Sequence, residues 1–176
     1  MRKVLYLMGI LSDADVQWLA SHGVKSVVPA GTFLVKRGVA IDHLYILLDG
    51  RLSIELANGV EAATLMTGEV VGEISFVDSR SPLASVRAQL PSIVLGIDKT
   101  LLKVKLESDG GFGSRFYRAI ALFLADRLRS TTGRLGYGGA GDEEEISDDL
   151  DELDGDFMQM ISMANVRFDF LMRSIG

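Results

Sequence analysis

The period of the hydrophobic positions changes twice along this chain. Residues 24–98 carry short apolar runs separated by glycine and polar turns, whereas the segments before and after them place apolar residues at helical spacing. Short runs of this kind are typical of a compact antiparallel roll or barrel. They predict eight strands, at residues 27–28, 33–35, 44–48, 52–56, 62–65, 70–71, 83–88 and 93–97.

One of these strands and the turn after it carry a sharper signal. Residues 51–56 alternate between polar and apolar side chains, which predicts one buried face and one wet face. Asn58-Gly59 follows directly, and both residues tolerate a positive φ. We therefore expect this pair at the tip of a hairpin and not in a binding site.

The segment before the strands predicts one helix. Residues 12–22 begin with Ser12, carry Asp15 three positions later in a capping-box arrangement, and end before Gly23. The start of the chain, MRKVLYLMGILSD, is basic and then apolar, but its apolar run is short and no small-residue cleavage site follows it. We therefore expect a mature N-terminus that packs on the domain.

Two helices are predicted after Asp98. Apolar residues between positions 101 and 106 indicate a short helix that breaks at Asp109-Gly110-Gly111. A longer helix is predicted over residues 112–135, and its apolar stripe contains Phe116, Ile120, Phe123, Leu124 and Leu128. An amphipathic helix of this length needs a surface on which to bury that stripe.

The C-terminal part of the chain divides into a joint, an acidic run and a further helix. Residues 136–141, GYGGAG, predict a flexible joint, and residues 142–156 contain ten acidic side chains and no lysine or arginine. The acidic run lacks the spacing of a calcium-binding EF-hand loop, so it is interpreted as a solvated linker. The chain is accordingly divided into a domain at 1–137, a linker at 138–156 and an amphipathic helix at 157–176.

The terminal helix carries a wide apolar face. Its heptad-like seam consists of Phe157, Ile161, Ala164, Phe168, Leu171 and Ile175, and several methionines widen that seam. Such a face requires a partner in water. Two partners remain open: the domain of the same chain, or a second copy or another protein, for which methionine offers adaptable contacts.

The chain is organised around residues 68–88, GEVVGEISFVDSRSPLASVRA. A short strand is predicted to end at Gly72, and a turn of helix opens at Glu73. Backbone N–H groups at the start of a helix point outward and can hold an anion such as phosphate. The residues Gly72, Glu73, Ile74 and Ser75 are therefore a candidate anion site.

The glycine spacing around this stretch resembles that of the cyclic nucleotide-binding domain, the β-roll shared by bacterial catabolite activators and the regulatory subunits of cyclic-AMP-dependent kinases. The resemblance covers about residues 4–137 and rests on Gly31, Gly38, Gly50, Gly68, Gly72-Glu73 and Ala84. It implies a mainly β fold with flanking helices: an antiparallel, jelly-roll-like β-roll with an N-terminal helix, a long C-terminal helix and an extra tethered helix. It also implies a regulatory domain whose ligand is cyclic AMP or cyclic GMP.

In that family the central stretch is the phosphate-binding cassette. The resemblance implies that Glu73 takes the ribose 2′-hydroxyl, that the amides after Gly72 take the cyclic phosphate, and that Ser85 faces phosphate or base. In the long helix, Thr131 and Thr132 resemble a Thr-Ser pair that faces the adenine in catabolite activators, or else they are ordinary exposed threonines. The candidate ligand-binding residues are Gly72, Glu73, Ile74, Ser75, Arg80, Pro82, Leu83, Ala84, Ser85, Thr131 and Thr132.

The cassette departs from the family pattern at Pro82. The family's phosphate-pairing arginine falls on this proline, which offers neither a charge nor an N–H group. A charge-assisted hydrogen bond is worth about 1.5–3 kcal/mol, so its loss weakens binding by roughly one to two decades. Either Arg80, the nearest cation in the loop, replaces the missing arginine, or the pocket has lost its usual ligand.

Composition narrows the classes of function. The chain has no cysteine, which excludes disulfides and thiolate chemistry and fits a cytoplasmic protein. Its histidines, His22 and His43, stand at a predicted helix end and a predicted turn, without the spacing of a metal site or a nucleophile-base pair, so no enzyme is expected. No segment is long and apolar enough to span a membrane.

Two hypotheses follow from the sequence. In the first, a cyclic nucleotide enters at residues 72–85, the long helix closes over it, and the terminal helix is released or captured. In the second, the domain has lost its nucleotide and presents its helices to a second copy or another protein. Direct nucleic-acid binding is not expected, because glycine and acidic residues follow position 136 where bacterial relatives carry a basic recognition helix.

Overall fold

The computed structural model describes residues 4–136 and 155–175, with side chains over 7–129 and 162–175. Residues 138–154 of the predicted linker lie outside these ranges. Within them the strands are β1 Val24–Val28, β2 Phe33–Val35, β3 His43–Asp49, β4 Arg51–Glu55, β5 Glu61–Met66, β6 Val70–Val71, β7 Ser85–Ala88 and β8 Ser92–Asp98. The helices are α1 Val4–Ile10, α2 Asp13–His22, α3 Glu73–Val77, α4 Lys99–Ser108, α5 Gly110–Gly136 and α6 Gly155–Ser174.

The strands form two antiparallel sheets, with the orders β1-β8-β3-β6 and β2-β7-β4-β5. This is the predicted antiparallel roll with flanking helices, and every predicted strand is present. The strand predicted at 83–88 begins only at Ser85, because its ladder with β4 starts where Ser85 pairs with Glu55. Leu83 consequently lies in a loop and is 83% exposed.

Strand β3 separates two hydrophobic cores. Its residues Leu44, Ile46 and Leu48 face a core shared with the helices, whereas Leu47 belongs to the core between the two sheets. Alternate side chains of a strand point to opposite faces, so a strand buried on both faces needs a continuous apolar run. Residues 44–48 of β3, LYILL, form such a run.

Strand β4 departs from its predicted alternation at Ser53. This residue was expected to face water, but it is only 2% exposed. Its hydroxyl donates to the carbonyl oxygen of Arg87 at 3.4 Å, and the Arg87 side chain lies 3.3 Å from the Glu55 carboxylate on the same surface. Ser53 is covered by residues of the neighbouring strand β7, and the alternation within β4 alone cannot predict this burial. The predicted hairpin tip is correct, since Gly59 has a φ of +78°.

The N-terminal segment contains the predicted helix and one more. Helix α2 begins with the predicted capping box: the Ser12 hydroxyl accepts from the Asp15 N–H at 3.3 Å, and the Asp15 carboxylate accepts from the Ser12 N–H at 2.7 Å. The preceding residues form α1, which the sequence did not predict as a helix. Leu7 and Met8 of α1 are buried in the core shared with the helices.

Helix α5 is longer than predicted. Its start moves from residue 112 to Gly110, because the Asp109 carboxylate accepts a hydrogen bond from the Phe112 N–H at 2.9 Å. Phe116 and Phe123 are buried, as the stripe predicted. Leu128 was assigned to the same stripe, but it is 67% exposed because it lies on the adjoining face of the helix.

Helix α6 packs on α1 and α2 of its own chain, the first of the two partners that the sequence left open. Ala164 and Leu171 are buried in the core shared with the helices. Arg167 donates from Nε to the Asp13 carboxylate at 2.7 Å and from Nη1 to the carbonyl oxygens of Met8 and Gly9, each at 3.2 Å. These carbonyls end α1, where helices leave acceptors without intrahelical partners. Arg167 therefore fastens α6 to the turn between α1 and α2.

Candidate ligand-binding site

The site is built around Gly72, where β6 ends and α3 begins. Gly72 has a φ of +93°, a left-handed conformation that side chains other than glycine rarely adopt. A Cβ atom there would also lie 2.8 Å from Cδ1 of Ile41 and 3.1 Å from the carbonyl oxygen of His43. Glycine is thus required both by the backbone and by the space, and Glu73 follows as the first residue of α3.

A cavity of about 180 Å³ lies beside this turn. Apolar side chains from both sheets form most of its wall, including Val35, Ile54, Leu65, Val71 and Val86. Polar groups come from α3, from the loop at 78–84 and from Arg127 of α5. An apolar cavity with a few converging polar groups is the usual form of a small-molecule site.

Glu73 is the buried acid of the cavity, at 2% exposed. Its carboxylate accepts a hydrogen bond from Nη1 of Arg127, whose Nη2 is 4.0 Å from the carboxylate of Glu69. Burial raises the pKa of Glu73, and Arg127 opposes this rise by favouring the ionised form. The guanidinium also lies 4.7 Å from the centre of the Phe123 ring, so its position is fixed from both sides.

The loop at 78–84 forms the outer rim of the cavity. Arg80 lines the cavity, but its side chain is 84% exposed, with Nε 3.9 Å from the Asp78 carboxylate. Pro82 lines the cavity and contributes no charge, while its carbonyl oxygen accepts from the Gly38 N–H at 2.8 Å. The rim therefore brings one exposed guanidinium to the cavity.

Ser75, in α3, also lines the cavity. Its hydroxyl donates to the Gly72 carbonyl oxygen at 3.2 Å and accepts from Nζ of Lys99 at 2.8 Å. Lys99 is half-buried at the start of α4, and its N–H donates to the Asp42 carbonyl oxygen at 2.8 Å. The ammonium group of Lys99 thus contacts the cavity only through the Ser75 hydroxyl.

Comparison with known proteins identifies this architecture. Residues 25–109 match the family model described as "Cyclic nucleotide-binding domain". The chain thus contains a cyclic nucleotide-binding domain. A solved cyclic nucleotide-binding domain from Methylobacillus flagellatus has the same fold, with a TM-score of 0.69, 21% identity, and coverage of 80% of this chain and 86% of that one. The catabolite activator protein of Thermus thermophilus gives a TM-score of 0.60 at 23% identity, covering 71% of this chain and 59% of that chain.

A curated relative places the domain in a larger context. An NTE family protein of Mycobacterium tuberculosis is 27% identical over 136 residues, which are 76% of this chain and 23% of that protein. The match therefore spans about a quarter of the relative. It concerns the cyclic nucleotide-binding domain and leaves most of the relative without a counterpart here.

The domain gathers most of the predicted site residues around one cavity. Lining positions are taken by Gly72, Glu73, Ile74, Ser75, Arg80, Pro82, Leu83 and Ala84. Ser85 does not line the cavity, because its hydroxyl turns to accept a hydrogen bond from the Arg37 N–H at 3.0 Å. Thr131 and Thr132 are within the helical backbone of α5, but their side chains lie outside the described residues.

Sequence reasoning missed two residues of the domain's site, Arg127 and Lys99. Arg127 follows Phe116, Ile120 and Phe123 at helical spacing, so it occupies a position of the buried stripe. A cation on an apolar stripe needs a buried partner, and this signal was present in the sequence. Lys99 had no such signal, since its contact with Ser75 joins two elements that are distant in the chain.

Two further features are absent from the described residues, a metal-binding cluster and a membrane-spanning helix. No group of three or more His, Asp or Glu side chains that could hold a metal ion occurs among the described residues. None of the described helices is long and apolar enough to cross a membrane.

Proposed function

We propose that this chain is a regulatory domain without catalysis that binds a cyclic nucleotide, cyclic AMP or cyclic GMP, in the cavity beside α3. The observation that carries the proposal is the buried carboxylate of Glu73 on the wall of an apolar cavity, within a domain of this family. A carboxylate has more acceptor positions than Arg127 fills. A ribose hydroxyl would supply a further donor, and the apolar wall would receive the base.

The phosphate would lie between the start of α3 and the loop at 78–84. The backbone N–H groups after Gly72 offer donors there, and Arg80 offers a charge from the rim. Because Pro82 replaces the family's arginine, we expect an affinity lower than that of a complete cassette. The loss of one charge-assisted hydrogen bond corresponds to an affinity lower by roughly one to two decades.

The same contacts connect the cavity to α6. Phe76 of α3 packs edge-on against Phe116 of α5, with ring centres 5.9 Å apart, and Arg127 joins α5 to Glu73. A ligand hydroxyl that donates to the Glu73 carboxylate changes the contact that holds α5. Helix α5 is in turn bound to the first turn of α2, where Arg115 donates to Asp15 and Arg167 of α6 donates to Asp13. We propose that ligand occupancy is relayed along this path.

A second copy of the chain is the proposed partner of α5. Tyr117 and Leu128, at 50% and 67% exposed, lie three turns apart on one face of the helix, and Leu124 stands between them. An apolar seam at this spacing is suited to a coiled-coil contact. The same proposal includes a domain at 1–137, a linker at 138–156 and a helix at 157–176. It also includes a cytoplasmic location.

The experiment is isothermal titration of the full chain with cyclic AMP and cyclic GMP. We expect binding that Glu73→Ala weakens by at least about tenfold, because a buried charge-assisted hydrogen bond is lost. Glu61→Ala is the matched control, since Glu61 is exposed and does not line the cavity. An absence of heat and of a thermal shift at millimolar nucleotide would reject the proposal.

Pro82 favours one alternative function, a domain that has lost its nucleotide and serves as an assembly module. In that case the pair formed by Glu73 and Arg127 is permanent and holds α5 in place for a protein partner. The same titration decides between the two functions. If no nucleotide binds, the partner is sought through α5 and α6.

A further inference from the structure

The charged groups around the cavity do not favour an anion. Glu69, Glu73 and Asp78 carry carboxylates, and the guanidinium groups of Arg80 and Arg127 face them among the described residues. Each of the two guanidinium groups is already paired with a carboxylate. A phosphate entering this site meets an excess of negative charge unless another cation takes part.

Lys99 is a further cation, and it contacts a side chain that lines the cavity. Its Nζ donates to the Ser75 hydroxyl at 2.8 Å, and the same hydroxyl donates to the Gly72 carbonyl oxygen at 3.2 Å. A hydroxyl whose lone pair is held by an ammonium group is left to act as a donor. Ser75 lines the cavity, so rotation of its hydroxyl hydrogen can direct this donor toward a ligand oxygen while the oxygen keeps its contact with Lys99.

We propose that Lys99, acting through Ser75, supplies the positive charge that replaces the missing arginine at position 82. The inference rests on the proposed function. It identifies Lys99 as a residue that makes the site prefer an anionic ligand to an uncharged one. Lys99 is a positioning residue, because it acts on the ligand through the Ser75 hydroxyl and does not line the cavity.

The carboxylates near Lys99 partly offset the effect of burial, which lowers its pKa. Burial and the charge of Lys103 lower the pKa of Lys99, while the carboxylates of Asp42, Glu73 and Asp78 raise it. The last two belong to the cavity's wall and rim. Lys99 and the cassette are therefore electrostatically coupled, and removal of its charge changes the potential at the phosphate position.

The test compares a charged ligand with an uncharged one of related shape. Cyclic AMP and adenosine are titrated into the full chain and into Lys99→Met, Lys99→Arg and Ser75→Ala. We expect Lys99→Met and Ser75→Ala to bind cyclic AMP about tenfold more weakly, as for the loss of a charge-assisted hydrogen bond, and to bind adenosine unchanged. Lys99→Arg retains the charge and should recover most of the affinity for cyclic AMP.

Lys103→Met is the matched control, since it removes a lysine charge from the exposed side of the same helix. It should leave both affinities unchanged. Equal weakening of cyclic AMP and adenosine in Lys99→Met would show a structural role and overturn the inference, as would unchanged binding of cyclic AMP. If the unmodified chain binds no cyclic nucleotide, the proposed function fails together with the inference, which is a distinct result.

Discussion

The carboxylate of Glu73 and the guanidinium of Arg127 are joined across 54 residues of sequence, on the wall of the ligand cavity. Both side chains are largely withdrawn from water, with exposures of 3% and 24%. The pair therefore links the fold's stability to its site, because a ligand competes for the same carboxylate that holds α5.

The buried position of Glu73 predicts an unusual pH dependence. Because its pKa is raised in the fold above its ordinary value of 4.5, the folded state holds this proton more tightly than the unfolded state. This contribution to stability is complete below pH 4.5 and is lost as the pH rises through the raised pKa. We expect Glu73→Gln to become more stable relative to the unmodified chain over that rise, as measured by urea unfolding from pH 4 to 8. A difference that is constant with pH would contradict this assignment.

Arg127→Met should be strongly destabilising at neutral pH. Removal of one partner from a buried ion pair typically costs about 3–5 kcal/mol of stability. Because Arg127 is partly exposed, we expect a loss at the lower end, about 3 kcal/mol. The double variant Arg127→Met/Glu73→Gln should recover part of this loss, because it removes one of the carboxylates left without its cation. The free energy of unfolding of the four proteins forms a double-mutant cycle, and additive effects would show that the pair does not interact.

Arg80→Met should affect binding and leave stability unchanged. Its side chain is 84% exposed, and exposed ion pairs contribute about 0.2–1 kcal/mol. We therefore expect the affinity for cyclic AMP to fall by about threefold and its dependence on salt to decrease. Lys25→Met, at an exposed site on β1, is the control. A loss of thirtyfold or more would instead identify Arg80 as the full replacement for the missing arginine.

Asp15→Asn tests the attachment of α5 to α2. Asp15 is 3% exposed and receives two hydrogen bonds from Arg115, at 2.6 and 2.9 Å. Burial raises the pKa of Asp15, but hydrogen bonds from Arg115 and Ser12 outweigh burial and leave it below 3.8. Its contribution is thus present above pH 3.8 and is lost as the pH falls through the lowered pKa. We expect the variant to lose about 2 kcal/mol at pH 7 and progressively less as the pH falls below 3.8, by urea unfolding.

Arg167→Ala tests the fastening of α6. The substitution removes the hydrogen bonds to Asp13, Met8 and Gly9, and charge-assisted bonds of this kind are each worth about 1.5–3 kcal/mol at most. We expect amide exchange in α6 to become faster while exchange in the β-roll stays the same. Arg173→Ala, on the exposed side of α6, is the control. Equal exchange in α6 of all three proteins would show that apolar packing alone holds the helix.

The sequence predicted the elements whose signals are local. Turns that contain glycine mark the ends of the short strands, and the Ser12 capping box marks the start of α2. Helix α1 escaped prediction because its residues are almost all apolar, so they show no period. Such a run is explained by its partners, α5 on one side and α6 on the other.

The sequence predicted those residues of the candidate site that lie together at one turn. It did not predict the contacts between elements that are distant in the sequence. Gly72 and Glu73 stand together in sequence and in space. The contacts of Glu73 with Arg127 and of Ser75 with Lys99 join elements separated by 54 and 24 residues. No local pattern encodes such pairs, although a cation in an apolar helical stripe indicates that one exists.

The first turn of α2, with Asp13 and Asp15, has a consequence for how this protein is made. Its two arginine partners come 100 and 154 residues later in the chain. During synthesis, α1 and α2 therefore leave the ribosome well before the helices that contact them. Leu7 and Met8 stay without α5 and α6 until those helices have been translated, so the nascent chain exposes the apolar side chains of α1 while its β-roll is already able to close.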